Sequence, residues 1–260
     1  MGNVWTLAAR EFRAFLRSPL GYSLLAVYAL VSGLILMTLL FLFREQILLS
    51  AQQAHLVRPA ASGPSVQLSV VMPYFLNVAS LLLFIIPFLT MRSFAEEKRQ
   101  RSLEVLISYP LRTSELVFAK YLGVLAFALL LFAINGLHLV LLAVVSNPAA
   151  PPLFAGLGGL ALMAMGLTAI GVFISTLAGG QVEAAVLTLG VLLLLAMLGG
   201  LLKPGGSWVQ EVLANLSPLY QYQDFGRGLL AWPRVGFHLA VAAGFLALAI
   251  RGLDLIKWRG

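Results

Sequence analysis

Apolar residues run through this chain in long unbroken blocks instead of alternating with polar ones, and the longest blocks set its architecture. Ser18 to Phe43, Pro59 to Met91 and Tyr121 to Val182 hold 26, 33 and 62 consecutive residues without Asp, Glu, Lys or Arg. About 20 apolar residues suffice for a helix to cross the hydrocarbon core of a bilayer. Continuous apolarity without a period of two predicts helices and not barrel strands. Six runs reach spanning length: Leu20 to Phe43, Val71 to Met91, Leu116 to Val145, Leu153 to Leu177, Val182 to Leu202, and Val235 to Leu253. The turn-rich stretch from Ser146 to Pro152 divides the 62-residue block, and Ala178-Gly179-Gly180-Gln181 predicts a tight turn between the fourth and fifth spans.

Three polar-rich stretches interrupt this pattern. At the N-terminus Trp5, Ala8, Ala9, Phe12, Phe15 and Leu16 recur at helical spacing while Thr6, Arg10, Arg13 and Arg17 fall on the other face, which predicts an interfacial helix over residues 1–18 ended by Ser18-Pro19. Its arginines suit anionic headgroups, and its aromatics suit the acyl boundary. Between the second and third spans, residues 92–112 hold eight of the 27 charged residues. There Ser93 and Glu96 have capping-box spacing, Leu103, Leu106 and Ile107 form a short apolar stripe, and Pro110 stops the helix they predict. Residues 203–234 are too polar for a span and too apolar for a free loop. Ser217 followed by Pro218 predicts a helix start there, within short re-entrant or interfacial helices. The stretch from Arg44 to Val70 has room for an amphipathic helix through Ala54 but not for a domain of its own.

Composition sharpens the class. The chain of 260 residues is 60% apolar and 10% charged, against about 25% charged in soluble domains. An all-α integral membrane protein with one transmembrane domain over residues 1–260 is expected. The net charge of +7 does not make it a nucleic-acid binder, because the basic residues sit at the ends of apolar runs. Placing both termini inside puts 12 Lys and Arg on the inner side and 5 on the outer, so the expected topology is N-in and C-in. The first apolar run is longer than a signal-peptide core and lacks a small-x-small cleavage site, so it is expected to stay. Without cysteine there is no disulfide or thiol chemistry.

The charged stretch carries a resemblance. Met91-Arg-Ser-Phe-Ala-Glu-Glu-Lys-Arg-Gln-Arg-Ser-Leu-Glu-Val-Leu-Ile-Ser-Tyr-Pro110 resembles the coupling segment of type-two ABC export permeases, in which a pattern near E-E-K-R-x-G-T-L-E-x-L-L-x-x-P follows the second span. Leu216-Ser217-Pro218-Leu219, with Tyr222, Phe225 and Gly228, is similar to the gliding-motility-type branch of that family. Arg101-Ser102 stands where many relatives have Gly-Thr, which favours a continuous helix. The resemblance implies a permease of a bacterial-type cytoplasmic membrane, pairing with a second permease chain and two cytoplasmic ATPase subunits that bind ATP and Mg, with an accessory subunit supplying any periplasmic domain. It further implies that Glu96, Glu97, Lys98, Arg99, Arg101, Leu103, Glu104 and Leu106 meet the ATPase, and that Tyr220, Tyr222 and Phe225 gate the outer end, although plain interfacial anchoring explains those aromatics equally well.

The remaining candidates are few. No G-x-x-x-x-G-K-[ST] phosphate loop, H-E-x-x-H pair or paired acids within a span occur, so no enzyme activity is expected of this chain, and it binds no cofactor or metal of its own. Asn135 and His138 share a helix face and suit either a polar pathway or a bond between helices, and Asn77 with Pro87 suits a kinked, cavity-facing second span. The small-residue surface with Gly156, Gly159 and Gly171 on the fourth span permits close helix packing. Two rivals to the exporter remain: a membrane scaffold whose ATPase does mechanical or assembly work without solute crossing, and an ion-coupled carrier using His138 or Glu183.

Overall fold

The computed structural model describes residues 2–54, 65–100, 112–146, 148–201 and 208–259, and these are helical almost throughout. Helix α1 (Gly2–Arg17) is followed after one residue by α2 (Pro19–Ala54). A π-turn at Gln67–Val71 leads into α3 (Met72–Thr90), and then come the short α4 (Ala95–Arg99), α5 (Thr113–Ser146), α6 (Ala150–Leu177) and α7 (Gln181–Leu201). Two short helices, α8 (Trp208–Asn215) and α9 (Pro218–Gly226), precede α10 (Trp232–Arg259). Among the described residues, six helices are long and apolar enough to cross a membrane, namely α2, α3, α5, α6, α7 and α10. They correspond one to one with the six apolar runs. The protein is an all-helical membrane protein.

Local chemistry explains the boundaries. Ser18 separates α1 from α2, donating through its hydroxyl to Phe15 O (3.0 Å) and accepting from the Gly21 amide (3.0 Å), so one side chain ends a helix and starts the next. At the start of α5, Glu115 reaches back to the Arg112 amide (3.1 Å), and at the start of α7 Glu183 does the same for Gly179 (2.8 Å). Pro151 and Pro152 occupy the first turn of α6, where a missing N–H removes no intrahelical bond. α9 begins as expected, with Ser217 accepting from the Tyr220 amide and Pro218 at the first helical position. It ends at Gly228, whose φ of +86° lets the Leu229 amide return to Asp224 O (2.9 Å) and its own amide to Phe225 O (2.9 Å).

One expectation is met and one corrected. The helix through Ala54 forms, as an unbroken continuation of α2 past Phe43; Arg44, Glu45 and Gln46 change its polarity, yet they are good helix formers. The Ser93–Glu96 capping box does not form. α4 starts at Ala95 without a side-chain cap from its own segment, and Ser175 of α6 accepts the Phe94 and Ala95 amides instead (3.0 and 3.1 Å).

Helix α6 is the hub, touching α3, α5, α7, α9 and α10. In its most apolar stretch 67% of residues are buried inside the chain, against 17% for α7. α6 is therefore core, while α7, α2 and α10 present apolar faces outward. Lipid-like exposure of Leu30, Leu34 and Met37 on α2 and of Val182, Val186 and Leu194 on α7 fits a bilayer and not water. The glycines on α6 admit bulky neighbours of the same chain: Phe75 lies over Gly156, Phe225 over Gly159 and Thr90 over Gly171.

Candidate functional site

At one end of the bundle, charged side chains from three helices, α1, α4 and α5, converge. Lys120 lies on α5 and is only 3% exposed, so its charge requires partners. Its ammonium meets Glu97 Oε1 of α4 at 2.7 Å and Glu11 Oε1 of α1 at 3.1 Å, and it stands 5.3 Å from the centre of the Phe94 ring. Burial pushes the Glu97 carboxyl above its ordinary range, against the opposing pull of Lys120. Lys98 turns the other way. Its ammonium donates to Thr176 O of α6 at 2.8 Å and more loosely to the Leu177 and Ala178 carbonyls, where it meets the negative end of that helix. Burial lowers the Lys98 pKa. With the Ser175 cap, α4 is fastened to α6 at both its ends and to α5 and α1 through Lys120.

An open cleft of about 300 Å³ lies between α1, α4 and the foot of α5, lined by Arg10, Glu11, Arg92, Glu96, Glu97 and Lys120 among others. Arg92 approaches Glu96 at 3.9 Å, and the Gln100 amide donates to Glu96 at 3.2 Å. Arg99 is exposed. Of the expected coupling residues, the structure thus turns Glu97 and Lys98 toward their own chain and leaves Arg99 outward. Arg101, Leu103, Glu104 and Leu106 lie outside the described residues. Helix α1 buries Ala8 and Phe15 and half-buries Phe12, with Glu11, Ala8 and Phe12 all close to Gly123 of α5 and Phe15 stacked on Phe127. Arg10, Arg13, Arg17 and Trp5 remain exposed.

Deeper in the bundle a polar node joins three spans. The Asn135 amide donates to the Tyr28 hydroxyl at 2.6 Å, and the Tyr74 hydroxyl donates to Asn135 Oδ1 at 3.0 Å. Tyr74 also meets His138 Nδ1 at 2.9 Å; its single proton is already committed to Asn135, so His138 is the donor through Nδ1 in this arrangement. Asn135 lies fifteen positions along α5 from Lys120, about 22 Å at helical rise, which places the node within the apolar depth of the bundle. Asn77 is not part of it, being exposed with its amide bonded to Pro73 O (2.8 Å).

At the opposite end Arg234 of α10 gathers the two short helices. Its guanidinium reaches Asp224 Oδ2 at 2.9 Å, Asn215 Oδ1 at 3.0 Å and Gln221 Oε1, and it lies 5.2 Å from the centre of the Tyr220 ring. Gln221 in turn donates to Asn215 O at 2.6 Å. Tyr222 and Phe225 are fully buried against α6, the Tyr222 hydroxyl donating to Gly156 O at 3.1 Å. Tyr220 is half-buried on the arginine.

Sequence reading passed over Lys120, Glu11, Ser175, Tyr28, Tyr74 and Arg234. One signal was available: Lys120 is a lone charge inside an otherwise uncharged apolar run, and such a residue requires a partner. Among the described residues no group of three or more His, Asp or Glu stands ready to hold a metal.

Six spans pack around a glycine-rich hub, with a short charged helix fastened to the foot of that hub, the architecture of a multi-span membrane protein. The family model described as ABC-2 family transporter protein matches residues 5–225, and the chain belongs to that family. Permeases of this family generally work with an ATPase subunit. No curated protein matches.

Proposed function

We propose that the chain is the permease of an ATP-driven exporter, with both termini on the cytoplasmic side, working as one of two permease chains with two ATPase subunits. The observation that carries this reading is Lys120, whose single ammonium holds α1 and α4 together. α4 opens the segment similar to the family's coupling element, and its exposed Arg99 and Gln100 lead into the residues that would enter the ATPase. A push on α4 passes through Lys120 to α5 and α1, and through Ser175 and Lys98 to the core helix α6. The spans then move as bodies around a packed hub, as interfaces of this kind shift between discrete arrangements. At the other end Arg234 holds α8 and α9 against α10, and opening there requires that node to move.

Reconstitution with the ATPase subunit separates docking from coupling. Arg99→Glu is expected to weaken ATPase association by about tenfold, the order of one close charge contact. Lys120→Met is expected to leave association intact while lowering cargo-stimulated ATP hydrolysis and accumulation in sealed vesicles. Loss of association in both variants, or full coupling in Lys120→Met, overturns the proposal.

A further inference from the structure

Helix α2 outlasts the helices it packs against. The bond between Tyr28 and Asn135 marks one level on α2 and α5, the first and third spans, which run in the same direction. From that level α5 continues for eleven residues to Ser146, while α2 continues for 26 to Ala54. The excess of fifteen residues is about 22 Å of helix, on the side of the bundle away from α1 and Lys120. This arm turns polar at Arg44, Glu45 and Gln46, past the apolar run. Every side chain from Arg44 to Leu49 is exposed, Ile47, Leu48 and Leu49 among them. An unsupported helix shorter than about 12–15 residues is marginal in water, and a run of exposed aliphatic side chains marks a surface made to be covered.

The spacing of the exposed positions says what covers them. Val27, Leu30, Leu34, Met37 and Phe41 are 52–68% exposed and follow one another at three, four, three and four residues. The alternation continues through Arg44 to Leu48 and Ala51, so one seam, apolar but for a single arginine, runs from the spanning part of α2 into the arm. Such an alternation is the a and d seam of a two-stranded coil, with Val27, Leu34, Phe41 and Leu48 at a. Lipid covers apolar groups of any spacing, but only as far as the hydrocarbon reaches. A partner confined to the aqueous side would cover Leu48 and leave the seam below it bare. The occupant is therefore a helix that crosses the membrane beside α2 and projects equally far, and a second copy of this chain supplies one, α2 itself, parallel to the first about a twofold axis. The charges agree with that arrangement. Arg44 stands at a d position and Glu45 at the adjoining e, and among the described residues neither has an ion-pair partner. In a parallel pair each Arg44 meets the Glu45 of the other copy. We propose that two copies of this chain associate along α2 and that their arms form a parallel two-stranded stalk beyond the membrane. This rests on the reading of two permease chains and narrows it, making the second chain a copy of the first and α2 the place where they meet.

The chain has no cysteine, so single cysteines placed along the arm report on it directly. In vesicles under mild oxidation, Leu48→Cys and Ala51→Cys, at a and d, are expected to give disulfide-linked dimers at a yield about fivefold above Gln46→Cys and Leu49→Cys, which stand at the outward f and b positions. Arg44→Glu and Glu45→Arg should each lower the Leu48→Cys yield about threefold by setting like charges opposite one another, and the double variant carrying both changes should restore it. Native mass spectrometry of the unmodified chain, alone and with its ATPase subunits, counts the copies independently. A dimer in which the seam positions cross-link no better than Gln46→Cys and Leu49→Cys pairs through another face, which overturns the proposal and leaves the two-permease reading standing. Cross-linking of Leu48→Cys to a different chain also overturns it. A single copy that persists with the ATPase bound overturns both readings together.

Discussion

Each end of the molecule is organised by one cation, and the two cations are of different kinds. Lys120 is nearly fully buried and faces two carboxylates on two other helices. Arg234 faces one carboxylate and two amide oxygens, and its side chain keeps 21% of its exposure. An ammonium is a compact charge on a flexible stem that can shift between acceptors without losing its attraction to either. A guanidinium is a rigid fork whose bonds are made together or lost together. The lysine end is suited to exchange partners as α1 and α4 shift, and the arginine end is suited to hold α8, α9 and α10 in one arrangement until it releases as a unit.

The largest test of this contrast is Lys120→Met. It leaves Glu11 and Glu97 facing one another without a counter-charge, and stability in detergent is expected to drop by about 3 kcal/mol, read as a lower thermal unfolding midpoint. Lys120→Arg and Arg234→Lys sharpen the comparison by exchanging the two chemistries. Arg234→Lys keeps the charge but loses the fork, at an expected cost of about 1–2 kcal/mol, with faster proteolysis between α9 and α10. If Arg234→Lys proves silent, the rigid-fork account of that end is wrong. Ser175→Ala removes the external cap of α4 and is expected to cost about 1 kcal/mol, seen as faster hydrogen exchange at the Phe94 and Ala95 amides with little change elsewhere.

The smallest expected effect is of pH. Burial raises the Glu97 pKa, so as pH falls its carboxylate takes up a proton sooner than an unburied glutamate and releases Lys120. A carboxyl raised in the folded chain favours the protonated fold, so its contribution to stability is present at low pH and lost as pH rises through the raised value. Mild acidification should therefore lower coupled ATP hydrolysis through this group without lowering the unfolding midpoint through it. Glu97→Gln should flatten that part of the profile. A midpoint that falls in step with activity, and does so only when Glu97 is present, contradicts this assignment.

The spans were legible because burial in lipid demands about 20 apolar residues in sequence, a local property that any reader of the chain can count. Ser217-Pro218 was legible for the same reason, since capping is written within a few residues. The charged end was only half legible. The density of charge around Glu97 and Lys98 marked the segment, but their partners lie 23 residues on at Lys120 and 78 on at Thr176, distances at which sequence carries no local signal. Ser93 illustrates the limit, because its spacing to Glu96 predicts a cap while Ser175, brought in from another helix, takes over the amides of that first turn. The periodicity of α1 likewise gave its apolar face, but not that part of this face packs on α5.

The contact between Lys98 and the end of α6 has a consequence for synthesis. Its acceptor at Thr176 follows it in the chain by 78 residues. At about 5–20 residues per second, roughly 4–16 s separate the two. During that interval α4 exists with its lysine unanchored and without the Ser175 cap. Under the proposed coupling role, an ATPase subunit that recognises the fastened helix would ignore the nascent chain and engage only after the fourth span has entered the membrane, and assembly would then be timed by the order in which the helices emerge.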